Sequence, residues 1–149
     1  MITNKEIVDD LNDLVKINND RMQGYEKAIE DNEDPQLDDL FRHYVIQSQN
    51  FRSQLAEHIV RIDGLAVSDV TSTDTTSKLH RAWIDIKSAL TGKDRDSVLS
   101  SVEFGESAAV EAYEDAIEND KIPAYIKEDL EKQLTELKVS HAKIKSMAA

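Results

Sequence analysis

The sequence predicts an all-α fold, with four long helices in two antiparallel hairpins joined by a long crossover that carries a short fifth helix. Three observations point there. Apolar residues recur at helical spacing in four long stretches. Four glycines and two prolines in 149 residues leave the chain few places to turn. One acidic hairpin end reappears 88 residues later. A chain of this length suits one domain with a real core, and residues 1–149 are read as one.

The first helix opens on Thr3-Asn4-Lys5-Glu6, a capping box in which Thr3 and Glu6 satisfy free amides. Ile7, Leu11, Leu14, Asn18, Met22, Tyr25 and Ile29 carry it to about residue 32. Asp34 is placed as an N-cap and Pro35 at the first position of the second helix. That helix follows Leu37, Phe41, Tyr44, Ser48, Phe51, Leu55, His58 and Ile62, and Gly64 closes it. Residues 3–64 form the first hairpin. The crossover, 65–94, starts with a polar, β-branched, aperiodic loop. Its short helix, about 77–91, carries Leu79, Trp83, Ile86 and Leu90, with Leu79 and Trp83 expected to seal the bundle. Asp94 or Asp96 caps the third long helix, whose stripe is Leu99, Val102, Glu106, Ala109, Tyr113 and Ile117. Pro123 restarts the chain, and Ile126, Leu130, Leu134, Leu137, His141 and Ile144 complete the second hairpin, 95–147.

The repeat runs from Gly24 to Pro35 and from Ala112 to Pro123, where six of twelve positions match without gaps. The repeating unit is therefore a helical hairpin. Two such hairpins joined by a connection long enough to run the length of a bundle form the ferritin-like plan.

Composition narrows the function. With 30 acidic and 18 basic residues the net charge is −12, which argues against nucleic acid and against anionic membrane as partners. The absence of cysteine removes disulfides, thiol nucleophiles and Cys-based metal sites. No targeting segment or membrane-length apolar run is present, so the expected compartment is the cytoplasm. There is no Gly-rich phosphate loop, no Gly-x-Ser-x-Gly elbow and no His-Glu-x-x-His motif. The acidic run Glu30–Asp34 lacks the alternation and glycine of a calcium loop and reads as a solvated turn.

The informative residues are polar groups on inward faces: Asn18, Ser48, His58, Glu106 and His141. A buried carboxylate or imidazole needs partners. Glu106 and His141 either ligate a metal at the bundle centre, or bond to each other or to Tyr25, Tyr44 or Tyr113. Spacing favours the second reading. A carboxylate-bridged di-metal site takes a Glu from each of two helices and a Glu-x-x-His pair from each of the other two. The residues three before the histidines are Leu40, Leu55, Ser77 and Lys138, none of them acidic, and the repeat sets Asn18 opposite Glu106. At most a reduced site of Glu106 and His141 remains, with iron, manganese or zinc as its candidate metals.

The block Leu79-His80-Arg81-Ala82-Trp83-Ile84-Asp85-Ile86-Lys87-Ser88-Ala89-Leu90-Thr91-Gly92-Lys93-Asp94, with Gly105-Glu106 and Ala112-Tyr113-Glu114-Asp115-Ala116, resembles a bacterial family of ferritin-like four-helix-bundle proteins of unknown function. The likeness runs from Leu11 to Ile144. It implies a bundle shaped like ferritins and rubrerythrins and, by analogy alone, a link to stress physiology. Glu106 and His141 match ligand positions of ferritin-type sites; Asn18 and Lys138 depart from them.

The expectation is a non-catalytic helical bundle with a structural or interaction role and no required cofactor. The alternatives are a metal protein using Glu106 and His141, and a bundle that binds a small molecule where Ala and Gly near Glu106 leave space. Val45, Ile59 and Val110 widen the apolar faces, so a homo-oligomer is expected.

Overall fold

The computed structural model describes residues 4–31, 34–63 and 95–148. Four helices and no strands occur among them: α1 (Asn4–Asp31), α2 (Pro35–Asp63), α3 (Arg95–Glu118) and α4 (Ala124–Ala148). Each of these four helices begins and ends within a residue or two of the place expected for it. Thr3, Gly64, Asp94 and the short helix expected at 77–91, with Leu79 and Trp83, lie outside the described residues.

Local chemistry sets the turns. Asp34 caps α2, its Oδ1 accepting from the Gln36 amide at 3.0 Å while its carbonyl accepts from the Asp38 amide at 3.1 Å. Pro35 takes the first helical position, where its missing amide costs nothing. Asn119 builds the turn between α3 and α4: Oδ1 accepts from the Lys121 amide at 3.0 Å and its carbonyl from the Ile122 amide at 3.2 Å.

Cross-helix contacts fix the topology. Asn4 meets Ile62 and Arg21 meets Ser48, so α1 and α2 are antiparallel. Asp10 meets Asn119 and Tyr25 meets Glu106, so α1 and α3 are antiparallel too. Tyr113 meets Gln133 and Glu106 meets Ser140, and His58 meets Asp129, which sets α4 antiparallel to α3 and to α2. α2 and α3 therefore point the same way on opposite corners. α2 ends beside the start of α1, whereas Arg95 at the start of α3 reaches Asp34 at the start of α2, 2.6 Å away. The two ends that residues 64–94 join thus lie at opposite ends of the bundle.

The core has two apolar clusters. One gathers Leu11, Leu14, Phe51, Leu55, Tyr113, Ile126 and Leu130 near the α1 N-terminus. The other gathers Tyr25, Leu37, Phe41, Val98, Leu99, Val102 and Ile144 at the far end. Between them each helix contributes one polar residue to a buried layer: Arg21, Ser48, Glu106 and Ser140.

Two inward faces differ from expectation. On α4 the buried residues are Ile126, Leu130, Gln133, Leu137, Ser140 and Ile144, a strict alternation of four and three. Gln133 and Ser140 take the inner positions expected for Leu134 and His141, both of which are half-buried. On α1 the face runs Leu14, Asn18, Arg21, Tyr25, so a charged residue lies on the inner side between Asn18 and Tyr25. Arginine here is core, not surface.

Candidate functional site

The central layer is built around Arg21 and Glu106, whose side chains have no exposed surface. Arg21 enters from α1, three residues after Asn18 and four before Tyr25, a spacing that stacks all three on one helix face. Its guanidinium spreads across the bundle. Nε donates to Glu106 Oε1 at 2.8 Å. Nη1 donates to Ser48 Oγ at 2.8 Å and to the Tyr44 carbonyl at 3.4 Å. Nη2 donates to Ser140 Oγ at 3.2 Å. The rings of Tyr25 and Tyr44 cover it, 5.2 and 5.3 Å from the guanidinium carbon to each centroid.

Glu106 is equally engaged. Oε1 also accepts from the Tyr25 hydroxyl, and Oε2 accepts from Ser140 Oγ at 2.7 Å. The Leu137 carbonyl, 2.9 Å from the same hydroxyl, is the alternative acceptor for its proton. Buried Gly105 precedes Glu106 on α3 and adds no side chain to this crowded layer.

The electrostatics follow from burial and pairing. Burial is the largest influence on the Arg21 charge and opposes it, but the charge and hydrogen bond of Glu106, joined by Tyr25 and Tyr113, together raise the guanidinium above its ordinary value. Burial and then the Glu106 charge hold the Tyr25 hydroxyl well above the usual phenol range, against the pull of Arg21. The same causes push Tyr44 up to about 12.

A second, uncharged chain of hydrogen bonds lies one to two turns away. Asn18 Nδ2 donates to the Leu14 carbonyl and to the Tyr113 hydroxyl, each at 2.9 Å. Tyr113 donates to Gln133 Oε1 at 2.6 Å, and Gln133 Nε2 to Gln54 Oε1 at 2.9 Å. The 88-residue repeat relates the two networks. It maps Asn18 onto Glu106 and Tyr25 onto Tyr113, so the Asn18–Tyr113 bond is the counterpart of the Glu106–Tyr25 bond. Arg21 maps onto Ala109. The first half carries an amide and an arginine, Asn18 and Arg21, where the second carries an acid and an alanine, Glu106 and Ala109.

Glu106 and His141 take different partners. His141 Nε2 lies 3.3 Å from Glu103 Oε1 on the half-exposed side of α3 and α4. His58 is buried and pairs with Asp129 Oδ2 at 2.6 Å. Asn18 and Ser48 are buried, as their places in the stripes require. Among the described residues no group of three or more His, Asp or Glu side chains is arranged to hold a metal ion. Arg21 and Ser140 are not among the residues expected from the sequence; the one signal for Arg21 is its position between Asn18 and Tyr25 on the inner face. Ala112 and Ala116 do help to line a groove of about 260 Å³, but it lies between α1 and α3 with Asp10, Asp13 and Asp115 at its rim, away from Glu106.

This layer can fix a fold. A carboxylate and a guanidinium that saturate one another out of reach of water are held in one arrangement of four helices, because any slip of one helix strands a charge. No described helix is long and apolar enough to cross a membrane. No curated protein and no solved structure matches the chain. The family described as Domain of unknown function (DUF2383) matches residues 6–119, which contain α1, α2 and α3 with Arg21, Ser48 and Glu106. By that match the chain belongs to the DUF2383 family.

Proposed function

We propose that this protein is a non-catalytic, ferritin-like bundle that acts through its surface, as a structural or interaction protein, with an arginine in place of a central metal. The ferritin-like reading rests on two antiparallel hairpins related by a repeat, with α2 and α3 running in the same direction. The non-catalytic reading rests on one observation. Glu106, the carboxylate placed where a bundle metal would be bound, spends both oxygens on Arg21, Tyr25 and Ser140. The guanidinium supplies the positive charge that a metal would otherwise bring.

Metal analysis of protein purified without chelators tests this reading, alongside melting curves with added iron, manganese and zinc. Substoichiometric metal and an unmoved melting temperature are expected, since a ligand that binds the folded state raises that temperature. Stoichiometric metal that disappears in His141→Ala would overturn it and favour a reduced site at Glu106 and His141. His141 is half-exposed, so that variant keeps its core.

A further inference from the structure

The groove of about 260 Å³ between α1 and α3 has walls of two chemistries. Its floor is apolar: Leu14, Ile17 and Ala112 are buried and Ala116 is half-buried. Its rim is acidic. Asp13 and Asp115 are exposed, and half-buried Asp10 is held in place by Asn119, whose Nδ2 donates to its Oδ2 at 2.8 Å. Among the described residues no basic side chain lines the groove. The acids next to the rim in sequence do take lysines: Asp9 pairs with Lys5 at 3.1 Å and Glu114 with Lys138 at 3.9 Å.

The repeat supplies a comparison within the same chain. The 88-residue offset carries Ala112 and Ala116 onto Gly24 and Ala28, so both halves keep small residues there. The acids are not kept. Asp10 and Asp13 correspond to Val98 and Ser101, and Asp115 to Lys27. The fold therefore accepts a valine, a serine and a lysine where the groove has three carboxylates, and does not itself require the acidic rim.

The lining selects the occupant. Three carboxylates favour a cation, but among the described residues no such group is arranged to hold a metal ion. The apolar floor offers a hydrated metal nothing, whereas it takes methylene groups out of water. Asp10 and Asp13 stand on the α1 wall and Asp115 on the α3 wall, which suits a positive charge at each end of the chain of methylenes. The volume falls below the ~300 Å³ at which pockets for drug-sized ligands begin, so the occupant is short. We propose that this groove binds a short aliphatic diammonium, with its methylenes on the floor and its ammonium groups at the rim. The site lies away from Arg21 and Glu106, and its failure would leave the reading of the central layer untouched.

Calorimetric titration with putrescine, a linear aliphatic diamine, in low-salt buffer tests this. Saturable binding at one site is expected, about fivefold or more tighter than n-butylamine, which has one charge, and than magnesium, which has no chain. Asp115→Asn should weaken putrescine about fivefold. Glu57→Gln removes the same charge from the exposed side of α2 and should leave binding unchanged. Ala116→Leu keeps every charge but fills the groove, and should weaken binding about tenfold or more. Helical circular dichroism of each variant should match the parent; if Ala116→Leu loses helix, the comparison of Asp115→Asn with Glu57→Gln decides. No saturable binding up to about millimolar putrescine would overturn the site. So would magnesium binding as tightly as putrescine, or equal losses in Asp115→Asn and Glu57→Gln, since either outcome describes a diffuse counter-ion atmosphere around an acidic protein. Parental affinity in a folded Ala116→Leu variant would overturn it as well.

Discussion

Arg21 Nε lies 2.8 Å from Glu106 Oε1, and neither side chain touches solvent. Such a pair is costly to assemble, because both charges lose their hydration, and costlier to break. It joins α1 to α3, and the serines of α2 and α4 complete it. Its net contribution to stability is therefore modest, while its contribution to register is large: an arrangement that separates the two charges leaves both of them buried and unpaired.

Removing one partner should destabilise strongly. Arg21→Met and Glu106→Gln are each expected to cost about 3–5 kcal/mol in urea unfolding. The repeat suggests the compensating change. The 88-residue offset gives Arg21 the counterpart Ala109 and Glu106 the counterpart Asn18, so Arg21→Ala/Glu106→Asn writes a pairing the fold already tolerates. The double variant should be more stable than the sum of its single changes predicts, by about 2 kcal/mol or more. Additive costs would show that the two residues stabilise the bundle separately.

The two related tyrosines should respond unequally. Tyr25→Phe removes a donor from a buried carboxylate, whereas Tyr113→Phe interrupts a chain of neutral groups. Bonds to charged groups are the stronger ones. Within the ~1–3 kcal/mol expected for a buried polar group left unpaired, Tyr25→Phe should lie at the upper end and Tyr113→Phe at the lower. Asn18 keeps its bond to the Leu14 carbonyl in the second case. Equal losses would remove the electrostatic distinction between the two networks.

Period and punctuation made the helices legible. Pro35 and Pro123 marked two starts, Asp34 was read as the cap it is, and the Glu106 stripe put a carboxylate in the core with Tyr25 among its proposed partners. Arg21 is not legible as core, because an arginine is ordinarily solvated and the apolar spacing of the helix runs through Met22 beside it. Met22 is buried as well, since the middle of α1 from Ile17 to Met22 is enclosed on all sides. On α4, the choice between Ser140 and His141 differs by one residue, or 100° of helix. The histidine drew attention by its chemistry; the serine holds the inner place.

Asp34 joins a cap to a cross-helix contact, and two substitutions separate them. Its Oδ1 caps α2 and its Oδ2 accepts from Arg95 Nη1 at 2.6 Å. Asp34→Ala should cost about 1–2 kcal/mol, chiefly from the lost cap. Asp34→Ser keeps a capping oxygen but loses the ion pair, which is partly exposed and contributes no more than about 1 kcal/mol. Thermal melts of both should place the serine variant nearer the parent. The reverse order would make the link from α2 to α3 the dominant contribution.

The buried phenols predict how the protein fails in alkali. Burial raises Tyr44 to about 12, with the Glu106 charge adding to it and Arg21 opposing. Burial likewise raises Tyr113, against the Asn18 hydrogen bond and Arg21, and holds Tyr25 well above its ordinary value. In each case the folded state keeps a proton that the unfolded chain releases near pH 10. The unfolded state then binds fewer protons, so stability falls as pH rises. This contribution is fully present below about pH 10, declines from there toward 12 for Tyr44, and keeps declining beyond for the other two. Phenolate absorbance of these tyrosines should therefore appear together with the loss of helical circular dichroism. Tyr44→Phe should make the decline between pH 10 and 12 shallower, because it removes one of the three protons that the folded state holds over that interval. Full phenolate absorbance in a protein that is still helical would contradict the burial of these rings.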